Sequence, residues 1–206
     1  MEVSVLGIGN ILWADEGFGV RAVEALHAAY AFPEGVELVD GGTLGLNLST
    51  YVESTRRLLV LDAIDFALAP GTVKVLRDAE VPAWTKAKLS PHQTGFNDIL
   101  AMAALRGCAP ESVTVIGVQP VDLMSFGAAL TAPVRSRLPE AVGLAAREIA
   151  AWGFPGRPRA PGEAVEPLGP MPLAMAEYES GLANEDDPAR FGDPRLIAKR
   201  LAGDAG

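Results

Sequence analysis

Glu16, Asp62 and His92 are the side chains whose types and placement could do chemistry. Glu16 follows the apolar run Val3-Ser4-Val5-Leu6 and the turn-permissive Gly7-Ile8-Gly9-Asn10, and it stands just before a helical pattern. Asp62 closes the apolar run Leu58-Leu59-Val60-Leu61, and His92 stands just ahead of another helical pattern. Two carboxylates and an imidazole form a borderline-hard donor set that suits nickel, zinc, manganese or iron and leaves coordination positions open for substrate or water. A closed structural site would use four ligands, often thiolates, and the single thiol, Cys108, is nowhere near in sequence. Spacing alone leaves a second reading open, in which Glu16 and Asp62 cap neighbouring helix N-termini.

Asp40-Gly41-Gly42-Thr43 is a further candidate. Its glycines allow another chain to approach the backbone closely. The alternative is a strand-to-helix turn capped by Asp40 or Thr43. Gly7-Ile8-Gly9 does not complete a dinucleotide fingerprint, because Leu12 stands at the third glycine position and Glu16 would face a pyrophosphate of its own sign. No serine occupies a Gly-x-Ser-x-Gly elbow, and His27 and His92 are the only histidines, which argues against a nucleophilic triad. His27 lies beside an apolar helical stripe and reads as a packed helix histidine.

The elements that must position these residues alternate strand and helix. Val3–Leu6 is the first strand, and Val20, Val23, Leu26 and Tyr30 recur at helical spacing from Gly17 to about Phe32, where Pro33 closes the helix. Val36–Val39 is the second strand, followed by a helical pattern through Leu44, Leu48, Tyr51 and Val52. Arg57–Asp65 is the third, apolar on both faces as a central parallel strand must be. Thr72–Leu76 alternates after a connection too short for a helical crossover, which predicts an antiparallel edge strand paired with the third. Val81–Leu89 reads as loop, Ser90–Gly95 leads into a helix through Phe96, Ile99, Leu100, Ala103 and Ala104 that ends near Gly107, and Val113–Val118 is the last strand. A long helix is expected from about Pro133 to Trp152, with proline in its first turn. The class is α/β: a three-layer α/β/α sandwich around a mostly parallel twisted sheet of about five strands, with one antiparallel edge strand.

This domain spans residues 1–152. After Gly153 periodicity weakens, and eight of the sixteen prolines fall in the last 54 residues. Residues 153–206 read as a proline-rich tail, partly extended or mobile, with a short helix at Arg195–Leu201. A net charge of −9 without any basic run argues against nucleic acid as a partner. No apolar run reaches a membrane span, and the N-terminus lacks the basic region of a signal peptide. Cys108 cannot form an internal disulfide and fits a reduced residue in a cytoplasmic protein.

Gly7-Ile8-Gly9-Asn10-Ile11-Leu12 with Asp15-Glu16-Gly17-Phe18-Gly19, then Asp40-Gly41-Gly42-Thr43, Leu61-Asp62-Ala63 and Ser90-Pro91-His92-Gln93-Thr94-Gly95, give the chain a specific likeness over residues 1–152. It resembles the hydrogenase maturation endopeptidases, which process the large subunit of nickel-iron hydrogenases. The resemblance implies the α/β/α sandwich and a nickel-recognition site with ligands at Glu16, Asp62 and His92. It also implies removal of a C-terminal peptide from the large-subunit precursor once nickel is inserted. The nickel would arrive with the precursor, and zinc or another divalent ion would substitute for it.

Under this implied function, Asp40, Gly41, Gly42 and Thr43 hold the segment to be cut. Peptide cleavage has two routes open to it. A metal-bound water attacks, or Asp40 serves as general base, in keeping with the aspartic-type label such enzymes sometimes receive. No Asp-Thr-Gly or Asp-Ser-Gly pair of the pepsin kind is present. The rival function is a non-catalytic nickel chaperone using the same three ligands. Once-per-substrate processing needs no cooperativity, which favours a monomer. Asp62 and His92 are expected at a surface cleft, so that alanine at either position leaves the fold intact.

Overall fold

The structure, a computed structural model, describes residues 1–81 and 91–169 together with Leu173, Met175 and Tyr178. Five strands form the main sheet: β1 (Val3–Ile8), β3 (Val36–Gly42), β4 (Arg57–Ala63), β5 (Val73–Arg77) and β6 (Ser112–Val118). Their order is β3-β1-β4-β6-β5, parallel except for β5. A second, two-stranded sheet pairs β2 (Tyr30–Ala31) with β7 (Arg157–Pro158) in antiparallel fashion.

Both faces of the main sheet are covered, which is why its central strands are continuously apolar. Alternation sends Val3, Val5, Leu59 and Leu61 to one face. There they pack with α1 (Phe18–Ala29) and α5 (Leu138–Ala151). Leu6, Ile8, Leu58 and Val60 point to the other, where they meet Leu48, Val52, Phe96 and Ile99. Those partners belong to the 3-10 turn Gly45–Leu48, α2 (Ser49–Ser54) and α3 (Pro91–Leu105). Truncating a fully buried leucine such as Leu59 or Leu61 to alanine would cost about 2–5 kcal/mol. The three layers and the single antiparallel edge strand agree with the sequence-based fold.

Three elements differ from their sequence-based form. The edge strand β5 pairs with β6, not with β4. The connection from β4 crosses the end of β6, where Ile64 donates to the Val118 carbonyl and Gly71 to that of Gln119. The Gln119 side-chain oxygen accepts from the Phe66 and Leu68 N–H groups and fixes the crossing. Helix α1 stops at Ala29, because Tyr30 turns extended (φ −133°, ψ 142°) to pair with β7. Tyr30 and Phe32, two residues apart with ring centroids at 6.1 Å, carry a strand period that the helical stripe of Val20, Val23 and Leu26 masks. The helix expected from Pro133 to Trp152 is two, α4 (Ala132–Arg135) and α5. Pro139 has no N–H to continue the ladder and starts the second helix in its first turn. Residues 82–89 of the expected loop and 195–201 of the expected short helix lie outside the described residues.

Candidate active site

The loop after β1 is built by close approach. Gly9 adopts φ +131°, and a β-carbon there would lie 1.9 Å from the Glu16 carbonyl oxygen, so glycine alone lets the loop fold back on itself. Ala14 takes the left-handed conformation (φ 40°), uncommon for a residue with a side chain. Asp15 then turns inward and is fully buried. Its carboxylate accepts from the N–H groups of Val121 (2.8 Å), Asp122 (3.0 Å) and Thr131 (2.7 Å) and from the Thr131 hydroxyl (2.9 Å). Glu16, next in the chain, is half-buried in the 3-10 turn Ala14–Gly17, which runs straight into α1 and packs on β4. The close contact continues at Gly19, where a β-carbon would lie 2.1 Å from the Leu61 carbonyl oxygen.

Asp62 is the penultimate residue of β4, and its Oδ1 accepts from the Ala63 N–H at 2.8 Å. It continues the alternation of Leu58 and Val60, so its side chain projects toward the face covered by α2 and α3. At 3 % exposure it is buried, which corrects the expectation of an open surface-cleft residue. His92 is the second residue of α3, after Pro91 at a position that suits proline. Fifteen residues of helix separate the start of α3 from its end, and β6 begins at the amino edge of the sheet shortly after. At 1.5 Å per residue this length carries the start of α3 roughly 20 Å back toward the carboxyl edge. The His92 side chain lies outside the described residues.

Among the described residues no three His, Cys, Asp or Glu side chains gather as a metal site. What the fold does bring together is the Glu16 turn and the end of β4 that carries Asp62. Two carboxylates completed by an imidazole at the start of α3 would make a nitrogen and oxygen donor set that fits nickel or zinc. The 3-10 turn and α1 begin at Trp13 and Gly17 without a side-chain cap from either residue.

Asp40 lies at the carboxyl end of the edge strand β3, in register with Gly7. It lines a cleft of about 200 Å³ with Gly9, Ile11, Leu12, Gly42 and Thr43. Burial pushes the Asp40 carboxyl above its ordinary value, against the opposing pull of the Gly42 N–H and of the Arg21 guanidinium. A carboxyl raised in this way is a better proton acceptor when ionised. Gly41 does not line the cleft; it is buried, with a β-carbon position 3.1 Å from the Gly7 oxygen. Glu16 and Asp62 lie outside this cleft as well.

His27 stays apart from all of these. Its Nε2 is 2.8 Å from the Glu166 carbonyl oxygen, at the seam between α1 and the C-terminal segment. Cys108, half-buried, donates to the Ala103 carbonyl beyond the end of α3. Sequence reasoning passed over Asp15 and Arg21. The Asp15-Glu16 doublet offered a signal, but which acid turns inward depends on the backbone at Ala14. Arg21 is 4 % exposed, and an arginine among the apolar positions of α1 calls for a buried partner.

An open, mostly parallel sheet with Glu16 after β1 and Asp40 and Asp62 near the carboxyl ends of β3 and β4 is an α/β protein of the open-sheet kind, which binds its ligands at that edge. The family model described as hydrogenase maturation protease matches residues 20–148, and the chain belongs to that family. It is therefore a peptidase. The hydrogenase expression/formation protein HoxM of Azotobacter vinelandii is 49 % identical over 200 residues, covering 97 % of this chain and 96 % of the relative. The hydrogenase 2 maturation protease of Escherichia coli K12 is 46 % identical over 124 residues, 60 % of this chain and 76 % of its own. The solved structure of the hydrogenase maturating endopeptidase HybD from E. coli superposes with a TM-score of 0.73 at 40 % identity, covering 77 % of this chain and 98 % of that one.

Proposed function

We propose that the chain is the endopeptidase that removes the C-terminal peptide of the nickel-iron hydrogenase large-subunit precursor after nickel insertion, with the nickel of the precursor as the recognition element. The observation that carries this reading is the packing of the Glu16 turn on the Asp62 end of β4, at the carboxyl edge of a sheet whose edge strand presents Asp40 over a cleft. In this reading Glu16, Asp62 and His92 contact the ion that the precursor brings. Loaded and unloaded precursors then differ in affinity through those contacts. The ion supplies charge at the recognition site, and zinc or another divalent ion can stand in for it in binding measurements.

The cleft takes the chain to be cut. Gly42 and Thr43 lie along its wall, and the edge strand β3 offers main-chain groups to an extended segment. Asp40, raised by burial, accepts the proton of the attacking water and passes it to the departing amine. The protein works as a cytoplasmic monomer in this account. No helix among the described residues is long and apolar enough to cross a membrane.

The test is mass spectrometry of the precursor, with and without nickel, after incubation with wild-type protein or His92→Ala. Loss of the C-terminal peptide only with nickel and wild-type protein supports the reading. Cleavage regardless of nickel removes the recognition role. No cleavage in any arm, with nickel bound by the isolated protein, supports a metal chaperone instead.

A further inference from the structure

The chain after Trp152 returns along α1. β7 pairs with β2, the Arg159 N–H donates to the Ala29 carbonyl at 2.9 Å, and Arg159 Nε donates to that of His27 at 3.0 Å. Glu163 ties Arg157, Arg159 and the Ala160 N–H into one knot, and these donors lower its carboxyl to about 2. Leu168 and Met175 pack against the core face that α1 shares with α5. The path therefore leads from the end of α1 back to its beginning, which is the carboxyl edge of the sheet.

At that edge the segment meets the cleft. A β-carbon on Gly169 would lie 3.2 Å from Asp40 Oδ2, so the chain passes directly against the carboxylate. Leu173 lines the cleft opposite Asp40, Gly42 and Thr43. Arg21 anchors it: Nη1 donates to the Leu173 carbonyl at 2.6 Å and to Glu24 at 2.9 Å, and the guanidinium carbon is 5.4 Å from the centre of the Tyr178 ring. The Arg21 side chain is 4 % exposed, and its Nη1 is shared between Glu24 and the Leu173 carbonyl, while Nη2 has no hydrogen-bond partner among the described residues.

We propose that Gly169 and Leu173 form one wall of the peptide cleft, and that Leu173 selects the apolar side chain seated beside Asp40. The inference rests on the endopeptidase reading above. With Ile11, Leu12, Val20 and Leu173 on its sides, the 200 Å³ cleft fits an apolar side chain of an extended peptide, while Asn10 and Thr43 are placed for its main chain. Gly169 and Leu173 thus act as specificity elements at this edge of the sheet.

The test compares wild type, Leu173→Trp and Leu173→Ala on the nickel-loaded precursor and on precursors whose residues flanking the cut are changed between alanine and leucine. Leu173 is 40 % exposed, so neither substitution should disturb folding. Leu173→Trp fills the cleft and should raise KM by about tenfold with kcat little changed, whereas Leu173→Ala should shift preference toward the larger flanking side chain. A purely structural role would change thermal stability without moving KM or preference. Gly169→Ala, which presses on Asp40, should lower cleavage in parallel. Unchanged KM and preference in both Leu173 variants, with active wild type, overturn the wall while leaving the endopeptidase intact. Inactive wild type overturns the endopeptidase and the wall with it.

Discussion

The Asp15 carboxylate grips Thr131 twice, through the backbone N–H at 2.7 Å and the hydroxyl at 2.9 Å. With the two bonds to Val121 and Asp122, this ties the turn that carries Glu16 to a loop more than a hundred residues away. Asp15→Asn keeps the volume but replaces one acceptor oxygen with a donor. The expected cost is about 2 kcal/mol of stability, read from a denaturant midpoint. The expected loss of cleavage is on the order of a hundredfold, since small displacements near the reacting atoms are expensive. Thr131→Val, which removes only the hydroxyl, should show the same pattern more weakly.

Asp62 separates recognition from folding less cleanly than an exposed residue would. Its Oδ1 holds the Ala63 N–H at the buried end of β4, so Asp62→Ala should lose about 1–2 kcal/mol as well as cleavage. Asp62→Asn keeps an acceptor oxygen for that N–H and should fold with nearly wild-type stability. Zinc titration of the isolated protein, followed by calorimetry, should show weakened binding in Asp62→Asn and in Glu16→Gln. Wild-type affinity in both would remove the two acids from the metal set.

The residues that sequence made legible are those whose signal is local. The carboxyl-edge positions of Glu16, Asp40 and Asp62 follow from apolar runs that end in acids, and the order of strands and helices follows from periodicity. The partner of β5 was not legible, because Gln119 and the 64–71 crossing that place it are far apart in sequence. Nor was the burial of Asp15, since two adjacent acids look alike until the backbone turns at Ala14. The contact of Gly169 with Asp40 spans 129 positions, and no short-range pattern in a proline-rich stretch announces it.

Asp40 should trade stability for activity. Burial raises its carboxyl, so folding disfavours its ionised form; the stability it adds is present at acid pH and is lost as pH rises through the folded-state value. At pH 7 Asp40→Asn should therefore be as stable as wild type or slightly more so, while cleavage is abolished. In wild type the acid limb of kcat/KM should lie above the range of an ordinary aspartate. A limb in the ordinary range, or full activity in Asp40→Asn, would remove Asp40 as the base.

Glu148 works with the opposite sign, far from the cleft. Burial pushes its carboxyl up, but hydrogen bonds from Arg77 and Thr114 outweigh this and hold it below its ordinary value. Arg77 Nη2 lies 2.7 Å from Oε2, and the buried Thr114 hydroxyl donates to Oε1 at 2.9 Å, joining α5 to β5 and β6. A lowered carboxylate contributes stability that is full above its unfolded value and fades as pH falls through the folded one. Arg77 is half-exposed, and solvent screening limits the pair to about 1 kcal/mol. Arg77→Ala should therefore unfold at lower urea than wild type at pH 7, with the gap closing once acid has protonated Glu148. A gap that persisted unchanged into acid would show that Arg77 acts through packing of its stem and not through its charge.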